Sequence, residues 1–390
     1  MRGLLGSADV RSTASCLRAL GVDIAPQADG SVIVTGCDWS LSEPEGVLDC
    51  GNSGTTMRLL TGLLSGQAMH VVLTGDGSLR RRPMARVTEP LRRMGARFDG
   101  RDGGNLAPLS LRGGALQGRS YRSPVASAQV KTALLLAGLQ ARGHQEIIEP
   151  HLSRDHSERM LAAMGARIER GAVSCRVEAS PLECVDVDVP GDISSAAFLL
   201  VAATVTPGSE LLLEGVGVNP TRDGIIDVLL RMGADITRER SREVSGEPVA
   251  DLRVRAASLR GTHIGGAEIP RLIDEIPVLA VAAACAEGET LISGAAELRV
   301  KESDRIAATV SLVRAVGGDI EPRPDGMVLA GGGGLRGGVV DAVEDHRIAM
   351  AGAVALAAGA GSGRVDGARA VEVSYPGFFD VLRRLQSPGV

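Results

Sequence analysis

A short helical phrase that stops at glycine returns along this chain, and that recurrence limits the fold more than any other feature. The copies are Cys16-Leu17-Arg18-Ala19-Leu20-Gly21, Leu91-Arg92-Arg93-Met94-Gly95, Leu161-Ala162-Ala163-Met164-Gly165, Leu229-Leu230-Arg231-Met232-Gly233 and Leu312-Val313-Arg314-Ala315-Val316-Gly317. A glycine closing an apolar periodic run is a helix C-cap, because it accepts a positive φ. A strand-like run follows, as in Ser31-Val32-Ile33-Val34, and residues 378–385 read as a sixth copy. The repeat, at roughly 70 residues, is too long for a simple solenoid unit.

Each unit carries a second helix, richer in Ala and Leu: residues 55–64, 130–139, 196–203, 277–286 and 348–358. These are apolar on most faces and are expected to be buried. A short strand follows each, at 71–73, 146–148, 211–213, 290–292 and 364–365. The expectation is an α/β chain of βαβαββ-like modules in two lobes, residues 1–189 and 190–390, with a hinge near Val189-Pro190-Gly191. Residues 3–20 match the part of a module that follows its buried helix. The first repeat is therefore expected to be incomplete, beginning about 40 residues late on the module length read here.

The stretch Arg299-Val300-Lys301-Glu302-Ser303-Asp304-Arg305 interleaves both signs of charge after the apolar run 277–286. Cations to hold a small polyanion and carboxylates to move protons fit that pattern, and so does a solvated capping turn. Composition narrows the partners. Apolar content of 44% and charged content of 23% are those of a globular protein. A net charge of −5 and only 2% aromatics argue against nucleic-acid binding. An anion must then be captured by a local basic cluster.

The six cysteines, Cys16, Cys37, Cys50, Cys175, Cys184 and Cys285, form no C-x-x-C pair and no zinc spacing. They read as reduced thiols in a cytoplasmic protein. No apolar run approaches the ~18 residues of a membrane span, and the N-terminal residues do not read as a signal peptide.

Several motifs agree in order and spacing with one family. They are Gly51-Asn52-Ser53-Gly54-Thr55-Thr56-Met57-Arg58, Arg82-Pro83-Met84, Ser127-Ala128-Gln129-Val130-Lys131, Ser153-Arg154-Asp155-His156, Gly191-Asp192-Ile193-Ser194-Ser195, Leu272-Ile273-Asp274-Glu275, 299–305 and Asp345-His346-Arg347. Across essentially its whole length the chain resembles the 5-enolpyruvylshikimate-3-phosphate synthases. Its Ser-Ala-Gln-Val-Lys and Ser-Arg-Asp-His forms are similar to the bacterial class that includes glyphosate-tolerant members.

The resemblance implies a two-lobed enolpyruvyl-transferase fold, an inside-out α/β barrel of six repeats, with substrates between the lobes. It implies transfer of the enolpyruvyl group of phosphoenolpyruvate to the 5-hydroxyl of shikimate 3-phosphate with release of phosphate, in chorismate and aromatic amino-acid synthesis. No metal and no organic cofactor are expected, and a monomer is expected. The methylene carbon must gain a proton and the hydroxyl must lose one, so an acid and a base are needed.

By resemblance Asp274 is the base. Glu302 is the proton shuttle, with Lys301 beside it. Lys301 and Asp274 also contact shikimate 3-phosphate. Helix N-capping before Ile276-Pro277 is a second role for Asp274, compatible with the first, and pairing with Arg299 or Arg305 is the alternative for Glu302. Arg82, Arg305 and Arg347 are the phosphoenolpyruvate clamp, since a guanidinium is a fork suited to carboxylate and phosphate. Pro83 is expected to start a helix whose backbone donors face the same anion. Gln129 serves both substrates. Ser127 and Ala128, at a helix N-terminus, and Ser153 and Arg154, in the next loop, hold shikimate 3-phosphate. Lys131 is left outside the site, on the reading that it points away, and His346 is read as structural. Gly54 lets phosphoenolpyruvate or glyphosate approach the backbone, so a glyphosate-sensitive site is expected.

The family's N-terminal Lys-Ser pair and Arg have no counterpart here. An inactive homologue that only binds shikimate 3-phosphate is the rival expectation. UDP-N-acetylglucosamine enolpyruvyl transferase is the enzyme rival, but its catalytic Cys has no match in the loop Asp76-Gly77-Ser78-Leu79-Arg80-Arg81.

Overall fold

In the computed structural model, which describes residues 1–386, the chain forms two units: Met1–Val189 with Val244–Glu247, and Pro190–Glu243 with Pro248 onward. The first unit holds α1 (Ala8–Ala19), α2 (Gly54–Ser65), α3 (Ala85–Met94), α4 (Ala128–Gly138) and α5 (His156–Ala163). Its core joins Met57, Leu60 and Leu64 of α2 to Ala133, Leu134 and Ala137 of α4 and to strand residues such as Leu73, Leu109 and Val177. Helices α2 and α4 meet at Gly62. A Cβ there would lie 2.1 Å from the Ala133 carbonyl oxygen, so only glycine permits the approach.

Two sheets of this unit share one design. Leu48–Asp49 runs parallel to His70–Thr74, which is antiparallel to Leu106–Arg112, which is antiparallel to Arg97–Arg101. Ser120–Arg122, His144–Ile148, Ser174–Glu178 and Ile168–Arg170 follow the same order and sense. Asp23–Pro26 and Val32–Thr35 form a two-stranded hairpin.

The second unit holds α6 (Ile193–Val205), α7 (Gly224–Arg231), the single turn α8 (Ile269–Leu272), α9 (Ile276–Cys285), α10 (Arg305–Ala315), α11 (His346–Ala358) and α12 (Phe378–Gln386). Every residue of α9 from Ile276 to Ala284 is buried, which an all-round apolar helix requires. Helices α6, α9 and α11 pack on one another in one core. His263–Ile264, Glu289–Ile292, Gly326–Ala330 and Asp319–Arg323 repeat the four-strand order seen twice in the first unit.

The glycine-ended phrases close α1, α3, α5, α7 and α10, and their five glycines all have positive φ, from 81° to 122°. The boundary of α6 differs from the sequence reading, which began it at Ala196. Asp192 caps the helix, accepting from the amides of Ser194 and Ser195 and drawing both serines into the first turn.

Candidate active site

The sequence-predicted residues fall into one cluster in each unit. In the first unit Ser53 caps α2, accepting from Thr56 N at 3.1 Å, and Gly54 is the first residue of the helix. A Cβ on Gly54 would stand 3.0 Å from Arg58 Nη1 and 3.3 Å from Arg82 Nη1. Two guanidinium groups thus border the space that this glycine leaves open. Arg82 donates to Asn52 Oδ1 at 3.0 Å, and Asn52 donates to Asp76 at 2.6 Å. Arg58 donates to Gln129 Oε1, while Gln129 Nε2 donates to Thr55 Oγ1 at 2.8 Å.

Ser127 caps α4, where Ala128 and Gln129 begin the helix. Its amide donates to Glu149 Oε1 at 3.1 Å. Ser153 is 6% exposed, and its hydroxyl is a buried polar atom with no hydrogen-bond partner among the described residues. A buried hydroxyl left so costs about 1–3 kcal/mol, which makes it a donor in want of an acceptor. Arg154 is half-buried beside it. Lys131, which the sequence reading left outside the site, is 2% exposed and donates to the Ser153 carbonyl at 3.3 Å.

In the second unit Asp274 collects three cations. Its Oδ1 lies 3.2 Å from Arg305 Nη1 and 3.5 Å from Lys301 Nζ, and its Oδ2 lies 3.9 Å from Arg347 Nη2. Arg347 also donates to the Asp274 carbonyl at 3.2 Å. Glu302 pairs with Arg305 Nη2 at 2.6 Å. Arg299 turns elsewhere, to Asp304 and to the carbonyls of Arg323 and Pro324. Asp345 accepts from Arg305 Nε at 2.8 Å, from the Ser303 hydroxyl at 2.9 Å and from the Arg347 amide at 2.9 Å. Burial pushes the Asp345 carboxyl up, but the Arg305 charge and hydrogen bonds outweigh it and hold it below the usual carboxylate range. Burial, reinforced by the Arg347 charge, lowers His346 to about 4, so this imidazole is neutral at pH 7.

Two local expectations are corrected. Asp274 does not cap α9. The N-cap is Glu275, with no side-chain capping bond, because the Asp274 carboxylate is taken up by the three cations. Pro83 does not open a helix aimed at an anion. Helix α3 starts at Ala85, and the amides of Met84 and Ala85 are spent on Asn105, at 2.7 and 3.0 Å.

Sequence reasoning missed Arg58, Asp345 and Glu149. The first two stand inside quoted motifs, with Arg58 one helical turn after Gly54, so their positions were the available signal. Glu149 carries no such signal. Among the described residues no group of His, Cys, Asp and Glu forms a metal cage, and no helix is long and apolar enough to cross a membrane.

A family model described as EPSP synthase (3-phosphoshikimate 1-carboxyvinyltransferase) matches residues 1–382. The chain is 55% identical over 395 residues to the 3-phosphoshikimate 1-carboxyvinyltransferase of Synechococcus sp. (strain RCC307), covering 99% of this chain and 90% of that protein. It is 51% identical over 387 residues to the protein of the same description from Brevibacillus brevis, covering 99% and 91%. A solved EPSP synthase structure from Acinetobacter baumannii superposes with a TM-score of 0.89 at 42% identity, covering 98% of this chain and 88% of that one. With its motifs, its fold and these matches in agreement, the chain belongs to the EPSP synthase (3-phosphoshikimate 1-carboxyvinyltransferase) family.

Proposed function

We infer that the chain is a 3-phosphoshikimate 1-carboxyvinyltransferase of the shikimate pathway, joining phosphoenolpyruvate to shikimate 3-phosphate. The observation that carries the reading is Asp274, a carboxylate held among Lys301, Arg305 and Arg347. Cations of that density suit substrates that bring phosphates and carboxylates.

In this reading Asp274 takes the proton of the shikimate 5-hydroxyl as its oxygen attacks C2 of the enol. Glu302, with Lys301 beside it, gives a proton to the methylene carbon. The carbon–oxygen bond to phosphate then breaks, the methyl carbon returns a proton, and the enol ether forms. Arg82, Arg305 and Arg347 serve phosphoenolpyruvate, and Gly54 gives it room. Arg305 meets Asp345, Asp274 and Glu302, so an incoming anion competes with carboxylates for it. Ser127, Ala128, Ser153 and Arg154 serve the sugar phosphate, and Gln129 serves both substrates. The unpartnered Ser153 hydroxyl supports that assignment.

We read the fold as a two-lobed enolpyruvyl-transferase fold, an inside-out α/β barrel of six repeats, which the strand order shared by three sheets supports. The six free cysteines support a cytoplasmic location. The enzyme rival is disfavoured by Cys50, the cysteine nearest in sequence to the Asn52 turn, which is fully buried. Phosphate release from phosphoenolpyruvate, measured with and without shikimate 3-phosphate, tests the reading. Release that depends on the sugar phosphate is expected. A folded chain that binds the sugar phosphate and releases nothing would be the binder instead.

A further inference from the structure

Behind Ser127 and Ser153 lies a buried ionic cluster that the chemistry above does not use. Lys131 of α4 sits 3.0 Å from Glu149 Oε2 and 2.8 Å from Glu158 Oε1, with side-chain exposures of 2%, 3% and 3%. Glu149 spreads its carboxylate over two loops. Its Oε1 accepts from the Ser127 amide at 3.1 Å and its Oε2 from the Ser153 amide at 3.4 Å. Lys131 closes the circuit by donating to the Ser153 carbonyl at 3.3 Å.

Stability alone does not account for this cluster. Withdrawing ions from water costs several kcal/mol each, and well-packed apolar side chains often replace a buried pair without loss. Desolvation pulls the Lys131 ammonium down, yet the Glu158 and Glu149 charges outweigh it and keep it protonated. Burial pushes the Glu158 carboxyl up, and its Oε2 has no hydrogen-bond partner. What an apolar replacement could not supply is direction. One carboxylate and one ammonium fix the amide of Ser127 and both the amide and the carbonyl of Ser153, leaving the Ser153 hydroxyl uncommitted.

We propose that Lys131 and Glu149 are positioning residues that set the separation of Ser127 and Ser153, and through it the affinity for the phosphate of the sugar substrate. The proposal rests on the reading that these two serines bind that phosphate. Glu158 is the second counter-charge that keeps the ammonium in place. The cluster acts on one end of one substrate and leaves the enol chemistry alone.

The test compares Glu149→Gln, Lys131→Met, Ser127→Ala, Ser153→Ala and the double variant Glu149→Gln/Ser153→Ala in the 390-residue chain. Glu149→Gln keeps the shape of the side chain, so it stands in where Lys131→Met does not fold. Binding of shikimate 3-phosphate and of shikimate itself is measured by calorimetry, and KM for phosphoenolpyruvate and kcat by phosphate release. Affinity for shikimate 3-phosphate should fall at least about tenfold in Glu149→Gln, since misplacement of binding groups by an ångström is that costly. Affinity for shikimate, KM for phosphoenolpyruvate and kcat should each move less than about threefold, and the double variant should bind little worse than Ser153→Ala, as residues acting through one another are non-additive. Equal losses for both sugars, or additive losses in the double variant, would overturn the proposal and leave an ordinary core ion pair. Full affinity in Ser153→Ala and Ser127→Ala would overturn the serine reading itself, and the proposal with it. Weakened serine variants beside an unaffected Glu149→Gln would overturn the positioning claim alone.

Discussion

Arg305 grips both carboxylate oxygens of Asp345, through Nε at 2.8 Å and Nη2 at 3.3 Å, in a pair only 1% and 0% exposed. The same carboxylate accepts from the first turn of α11, so one side chain joins the N-termini of α10 and α11.

Asp345→Ala should therefore strip a buried guanidinium of its main partner and uncap α11 together. A loss of about 3–5 kcal/mol is expected, the range for breaking a buried pair from one side. Urea unfolding at pH 7.5 measures it, and a loss below about 1 kcal/mol would show that Asp274 and Glu302 compensate alone.

Gly54→Ala should push a methyl group against Arg58 and Arg82, whose nearest nitrogens leave it 3.0 and 3.3 Å. Glyphosate, the longer ligand, should be rejected more strongly than phosphoenolpyruvate. The inhibition constant should rise at least about tenfold, the scale of one misplaced methylene group. A smaller rise would count against the steric account, as would an equal rise in KM for phosphoenolpyruvate.

Asp274→Asn keeps the shape of the side chain and removes the base. A fall in kcat of about 10²–10⁴-fold is the expected range for losing general base catalysis. Steady-state phosphate release gives the number, and near-normal turnover would move the base elsewhere.

His346 gives stability a pH dependence. Its folded value lies at about 4 against an ordinary 6.5, held down by burial and then by the Arg347 charge. In the window between those values the unfolded chain binds the proton and the folded chain does not. Stability is thus present above 6.5 and is lost as pH falls towards 4, by up to ~1.4 kcal/mol per pH unit. His346→Gln should flatten that slope in urea titrations. An unchanged slope between pH 6.5 and 4.5 would assign it to other groups.

Much of the fold was legible because its signals are local. A glycine at positive φ after an apolar run ends a helix wherever it stands, and Gly165 and Gly233 do so in different units. The apolar run 277–286 had no polar face to show solvent, so burial was expected from composition alone, and Pro277 to Ala284 are buried. Boundaries were less visible. Asp192 draws two serines into α6, and propensity does not announce that.

The site was legible where its residues cluster in the chain and obscure where the fold collects them. Asp274 precedes Ile276-Pro277 in a capping context, yet Lys301, Arg305 and Arg347 outbid the helix for its carboxylate. Glu149 stands alone before Pro150; Ser153 meets it from four residues on in the same loop, but Ser127 and Lys131 reach it only through tertiary packing.

Gly62 carries a consequence for engineering this chain. It lets α2 and α4 touch backbone to backbone, and those two helices begin at Gly54 and at Ala128 beside Ser127. A wedge at position 62 works like a shim behind a pair of jaws. Any bulk added there changes the gape of residues more than a turn away, so a library meant to retune ligand selectivity should hold this position fixed while varying the rim.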